Sequence, residues 1–211
     1  MRRARMTIDR KWAPLAAGIA LAALWLAMLL LGTGSVDQAV LLSLYAGDRP
    51  WLALAAKGFT YLGNWPTVVV ATVLGAGWLL YRGKRRSALL LLFASFTGRG
   101  LVILEKAYFA RLRPHENLHL AEVHYQSFPS GHSANSMIVY LGLAMLAVED
   151  HNHRRWAIAA ALLLSFLIGI SRPMLGVHWP SDVIAGWSFG AFWLLLALGV
   201  GERIKLKPAR T

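Results

Sequence analysis

Apolar residues fill this chain in long unbroken runs, and the polar residues gather in short clusters between them. The runs predict spanning helices at 13–31, about 66–81, about 87–105, about 130–148, about 156–170 and about 180–200, because a bilayer core takes roughly 20 apolar residues per helical crossing. Pro14 opens the first run, where its missing N–H costs little, and Gly32 and Gly34 close it. Arg99 stands inside the third run between Gly98 and Gly100, a depth at which a charge has to face protein or water. Residues 36–63 mix leucines and Trp51 with Asp37, Asp48, Arg49 and Lys57. That mixture predicts two short helices lying at the membrane surface with their apolar faces down; a re-entrant hairpin is the alternative. The stretch 107–128 is polar and irregular. The expectation is an all-α, polytopic membrane protein of six transmembrane helices with short extracytoplasmic surface helices. It forms a single integral-membrane domain over 1–211, with the chemistry concentrated in 99–190.

Composition agrees with the pattern. The chain has 211 residues, of which 57% are hydrophobic, and a mean hydropathy of +0.50, more apolar than a soluble domain of this size sustains. The basic start, Met1-Arg2-Arg3-Ala4-Arg5, ahead of an apolar run has the outline of a signal peptide. The run is long for one and no A-x-A site follows, so an uncleaved first span is expected.

The net charge of +12 raises nucleic acid as a partner, but the basic residues fall in clusters between apolar runs, the arrangement that orients membrane proteins. No nucleic acid is expected; the bilayer is. Six spans put both termini on one side, which carries 15 of the 22 Lys and Arg residues; the other side carries 6. The excess places the termini in the cytoplasm and the loops holding Lys106, Arg113, Arg172 and His178 outside it. With no cysteine in the chain, thiolate metal sites, disulfides and cysteine nucleophiles are excluded. The seven histidines form no HExxH pattern, so neither a metal nor a cofactor is expected.

Three polar runs carry the candidate chemistry. Lys106, Arg113 and Arg172 offer a point charge and two planar forks for a phosphate; singly, each also reads as a head-group anchor. Pro129-Ser130-Gly131-His132 places an N-capping serine and a glycine at a helix start, where unpaired N–H groups and the helix dipole favour an anion. His178 and Asp182 are four residues apart around Pro180. The carboxylate can hold the proton on one ring nitrogen and leave the other free to attack; helix capping beside a surface histidine is the plainer alternative. Glu105 is expected to orient or neutralise a neighbour, and Arg99 to reach a polar cavity, a substrate head group or an internal partner. His115, His119 and His124 are expected to be solvated.

Read together, Lys106 to Arg113-Pro114, Pro129-Ser130-Gly131-His132, and Ser171-Arg172 to His178 to Asp182 resemble the membrane-bound type 2 phosphatidic acid phosphatase family, with its K-x6-R-P, P-S-G-H and S-R-x5-H-x3-D signature. The resemblance implies a six-helix core with its site at the extracytoplasmic face of a bacterial plasma membrane. It also implies a metal-independent phosphatase working through a phosphohistidine. In it His178 is the nucleophile, Asp182 its orienter and His132 the acid that protonates the leaving oxygen. Lys106, Arg113, Arg172, Ser130 and Gly131 hold the phosphate. Pro173, after the Ser-Arg pair, is unusual and is expected to alter the local turn. The implied partner is a membrane phospholipid or polyprenyl phosphate. Undecaprenyl diphosphate and phosphatidylglycerophosphate rank together at the head, ahead of phosphatidate and the lipid A phosphates. Phosphotransfer to a second lipid by the same site, and a non-enzymatic lipid transporter, are the alternatives. Oligomeric state is left open.

Overall fold

The computed structural model describes residues 12–204. The basic signal-like start and most of the basic C-terminal residues that enter the orientation argument lie outside them. Nine α-helices follow one another among the described residues, with no strand: α1 (Ala13–Leu31), α2 (Ser35–Leu44), α3 (Pro50–Gly63), α4 (Trp65–Tyr81), α5 (Arg85–Phe109), α6 (Gly131–Ser136), α7 (Gly142–Ala147), α8 (His151–Met174) and α9 (Pro180–Ile204). A single π-helical turn, Met137–Leu141, joins α6 to α7.

The first apolar run became α1 with the expected bounds. Others extend further than hydropathy alone implies, for local reasons. Asp150 caps α8 by accepting from the His153 amide at 2.8 Å, which adds a polar first turn. At its other end α8 runs through Pro173 to Met174, and the turn beyond closes through Gly176 N–H to the Pro173 carbonyl at 2.9 Å. The helix ends one residue after Pro173, with Gly176 at φ +70° reversing the chain.

Residues 36–63 do form two helices, α2 and α3. However, α3 joins α4 across a break at Asn64 with a bend of 48°, and the pair together is apolar enough to be one broken span or a re-entrant loop. Four helices, α1, α5, α8 and α9, are long and apolar enough to cross a membrane, and the bent pair makes up to five. The run 131–147, expected as a span, is interrupted by the π turn.

The helices pack as small residues allow. A Cβ at Gly186 of α9 would stand 2.5 Å from the Ser130 carbonyl, and one at Gly190 would stand 2.6 Å from the Ala134 carbonyl. Only glycine lets α9 lie this close to α6. Apolar interior clusters bind the rest: Ala76 and Leu79 of α4 with Ala88 and Leu91 of α5, and Ala94, Ile138, Leu194 and Ala197 across α5, the π turn and α9. Large apolar side chains cover the outside, among them Leu15 and Ile19 of α1 and Leu74 of α4. They are expensive to leave in water and suit a hydrocarbon surround.

Candidate active site

At the ends of α5, α6, α8 and α9 the three polar runs converge. Lys106, Arg113, Gly131, His132, Arg172 and His178 all line one cavity of about 560 Å³. Its wall also includes the α3–α4 break and reaches the outer surface at Trp65 and Ile103, both exposed.

Main-chain carbonyls aim Lys106 and Arg113, and a side-chain hydroxyl aims Arg172. Lys106, in the last turn of α5, donates through Nζ to the Gln126 and Ser127 carbonyls at 2.7 and 3.0 Å. Arg113 donates from Nε to the Tyr125 carbonyl at 2.7 Å and from Nη1 to the Val177 carbonyl. Arg172, buried in the final turn of α8, donates from Nη1 to Thr60 Oγ1, and its buried Nε has no hydrogen-bond partner among the described residues. None of the three is among the four ion pairs of the described residues, which use Lys84, Arg111, His153 and His178. Carbonyl and hydroxyl oxygens supply their direct contacts, and isolated buried charge costs several kcal/mol per ion. Burial brings the Arg113 guanidinium down to about 10, an effect that Asp182 opposes. Three cations thus face one cavity.

Ser130 caps α6, its Oγ accepting from the Ser133 amide at 3.4 Å and from Ser133 Oγ at 3.0 Å. The first-turn N–H groups of Gly131 and His132 have no helical partner, and Gly131 lies at the cavity wall. Ser130 itself is buried behind it, its amide donating to the Asp182 carbonyl at 2.9 Å. His132 Nε2 donates to Asn64 Oδ1 at 2.8 Å.

His178 sits in the loop between α8 and α9, only 2% exposed. Its Nδ1 lies 3.3 Å from Asp182 Oδ2, so the carboxylate holds the Nδ1 proton and Nε2 is the nitrogen left without one. Burial lowers the His178 pKa well below its usual value, and Arg113, Lys106, Arg172 and His132 lower it further by charge. A neutral imidazole is the nucleophilic form.

Asp182, wholly buried, is supported by residues the sequence did not single out. Ser127 Oγ donates to its Oδ2 at 2.5 Å and lies 3.3 Å from His178 Nδ1. The Trp179 amide donates to Oδ2 at 3.0 Å. Arg111 donates to Oδ1 at 3.0 Å, stacks over Phe128 at 4.3 Å, and reaches the Met28 and Leu29 carbonyls at the end of α1. The left-handed turn at Ala110, φ 48°, swings the chain out of α5 and sends Arg111 inward. Glu105, expected to orient or neutralise a neighbour, is in no ion pair among the described residues, and its Oε2 is buried without a hydrogen-bond partner there.

The sequence profile of the PAP2 superfamily matches residues 86–205, more than half of the chain and all three runs. The chain belongs to the PAP2 superfamily. Among proteins of this superfamily's kind, it is 34% identical over 176 residues to phosphatidylglycerophosphatase B of Bacillus subtilis, a match covering 81% of this chain and 86% of that protein. To a lipid A 1-phosphatase of Rhizobium johnstonii it is 42% identical over 82 residues, 39% of this chain and 31% of that one. The crystal structure of a transmembrane PAP2-type phosphatidylglycerolphosphate phosphatase from Bacillus subtilis superposes with a TM-score of 0.78 at 30% identity, covering 94% of this chain and all of the other. With its long apolar helices, this likeness makes the PAP2 chain an integral membrane protein.

Proposed function

We propose that this chain releases phosphate from a lipid phosphate monoester or diphosphate at the extracytoplasmic face of the membrane, through a phosphohistidine on His178. That it is a membrane lipid phosphatase follows from its family and its near full-length relative. Phosphatidylglycerophosphate and undecaprenyl diphosphate are the substrates the reading favours, and the likeness along most of the chain to phosphatidylglycerophosphate phosphatases supports the first. One observation carries the reading: Lys106, Arg113 and Arg172, none of them in an ion pair among the described residues, line one cavity together with His132 and His178.

Lys106, Arg113, Arg172 and the Gly131 amide hold the phosphoryl oxygens, where fixed positive charge steadies a transferring group. His178 Nε2 attacks phosphorus as the ester P–O bond breaks, and His132 gives a proton to the departing oxygen. Water then attacks the phosphohistidine, His132 takes the water's proton, and inorganic phosphate leaves. Asp182 steadies the positive imidazole between the two steps. Six spans, counting the bent α3–α4 pair and the 131–147 run as one each, put both termini in the cytoplasm; the 15-to-6 division of basic residues supports this orientation.

His178→Ala in purified, detergent-solubilised protein tests the reading. Phosphate release, assayed with a chelator present, is expected to fall to background while the protein stays monodisperse. Release retained by the folded variant removes His178 as nucleophile.

A further inference from the structure

Arg99, in the middle of α5, is a cation that the chemistry above leaves without a task. It lines the same cavity, half-buried, two turns before Lys106. Seven residues of helix return to nearly the same face and advance about 10 Å along the axis, so Arg99 stands below Lys106 toward the middle of the span. Its direction is fixed by its neighbour: a Cβ at Gly98 would meet Ile138 at 2.5 Å and Trp193 at 2.9 Å, so that face packs inward and Arg99 turns toward α4. There its guanidinium lies 5.5 Å from the centre of the Trp65 ring, with no carboxylate in ion-pair range among the described residues. An aromatic face stabilises a cation only modestly, and a charge at this depth is kept for a use.

We infer that Arg99 and the face of Trp65 form a second anion subsite that reads a phosphodiester lying between the scissile phosphate and the lipid tail. This rests on the proposed function and names its substrate class. A lipid whose reacting monoester is held by Lys106, Arg113 and Arg172 hangs its remaining groups toward the bilayer, past Arg99. In phosphatidylglycerophosphate a three-carbon spacer separates the monoester from a charged diester on that path. Phosphatidate has no second anion, and in a diphosphate the second phosphorus is one bridging oxygen from the first, beside Lys106 rather than two turns below it.

The test compares phosphatidylglycerophosphate with phosphatidate of the same acyl chains, in mixed micelles, for the unsubstituted protein, Arg99→Gln and Arg99→Lys. The unsubstituted protein is expected to prefer phosphatidylglycerophosphate by kcat/KM. Arg99→Gln is expected to cut that preference by about 10- to 100-fold, the size of a lost charge-assisted bond, with Arg99→Lys recovering part of it. A preference unchanged in Arg99→Gln overturns the subsite, as does equal loss on both lipids. If neither variant folds, equal kcat/KM for the two lipids in the unsubstituted protein overturns it. Adding phosphatidylglycerol, a diester without a monoester, identifies the source of the anion: Arg99-dependent stimulation of phosphatidate hydrolysis would assign the site to a neighbouring lipid and refute the assignment within one substrate. No phosphate release from either lipid by the folded, unsubstituted protein would instead sink the underlying phosphatase reading.

Discussion

Removing Arg111 tests how the buried carboxylate behind His178 is held. Arg111 and Asp182 meet at 3.0 Å with side-chain exposures of 10% and 0%, so the figure for surface pairs, about 0–1 kcal/mol, does not apply. Breaking a buried pair by deleting one partner costs about 3–5 kcal/mol, because the other charge is stranded. Arg111→Ala strands Asp182 with only Ser127, Trp179 and His178 as donors, and also frees the Met28 and Leu29 carbonyls. A stability loss in that range is expected in denaturant titrations in detergent, together with a fall in kcat. The decisive comparison is the double variant with Asp182→Asn. Once the charge at 182 is gone, Arg111→Ala should cost less than it does alone, giving a coupling of about 1.5 kcal/mol or more. Additivity within about 0.5 kcal/mol would show that Arg111 acts through α1 alone and would refute the argument.

Ser127→Ala should lower kcat by about tenfold, because one bond to a charged acceptor is lost while His178 keeps its carboxylate. Asp182→Asn should cost at least about 100-fold, as for other carboxylates that orient a catalytic histidine; an equal or larger loss from the serine change would make the hydroxyl the orienter. For His178, depression below about 6.5 means the imidazole stays neutral as pH falls through the ordinary histidine range. The acid limb of kcat/KM should therefore lie below about 6.5 in a bell-shaped profile, and a monotonic rise across neutral pH would contradict two histidines in these roles. The same shift makes the unfolded chain bind more protons than the native one below about 6.5, so this contribution to stability is full above that pH and shrinks as pH falls, measurable as a drop in melting temperature. Gly176→Ala should destabilise by about 1–2 kcal/mol from its left-handed backbone, and by more from contact with the Leu118 carbonyl; an unchanged melting temperature would refute it.

The long apolar helices and the polar runs were legible because each is local: hydropathy marks a span, and a motif marks its own residues. What escaped depends on pairing across distance. His132 meets Asn64 from 68 residues away, and nothing around Asn64 in the sequence marks it as polar for a purpose. Arg111 and Arg113 are two residues apart, yet one goes to Asp182 and the other to the cavity; the left-handed turn at Ala110 takes the chain out of α5 ahead of both, and alanine there gives no warning of it. Ser127 lies next to the Phe128-Pro129 step, but its bond to Asp182 exists only after α9 is docked. The surface-helix expectation for 36–63 rested on mixed polarity; α3 lies end to end with α4 across a bend that composition does not mark, and the break at Asn64 faces the site.

The wall of the cavity comes to the outer surface at Trp65 and Ile103, between α4 and α5; on the proposed function this is the side from which a lipid enters. A reactant arriving there travels in two dimensions and never has to leave the sheet of lipid. What governs its encounter rate is its mole fraction among neighbouring lipids, not its molarity. Diluting it with inert detergent at constant total amount should slow turnover, and adding buffer alone should not.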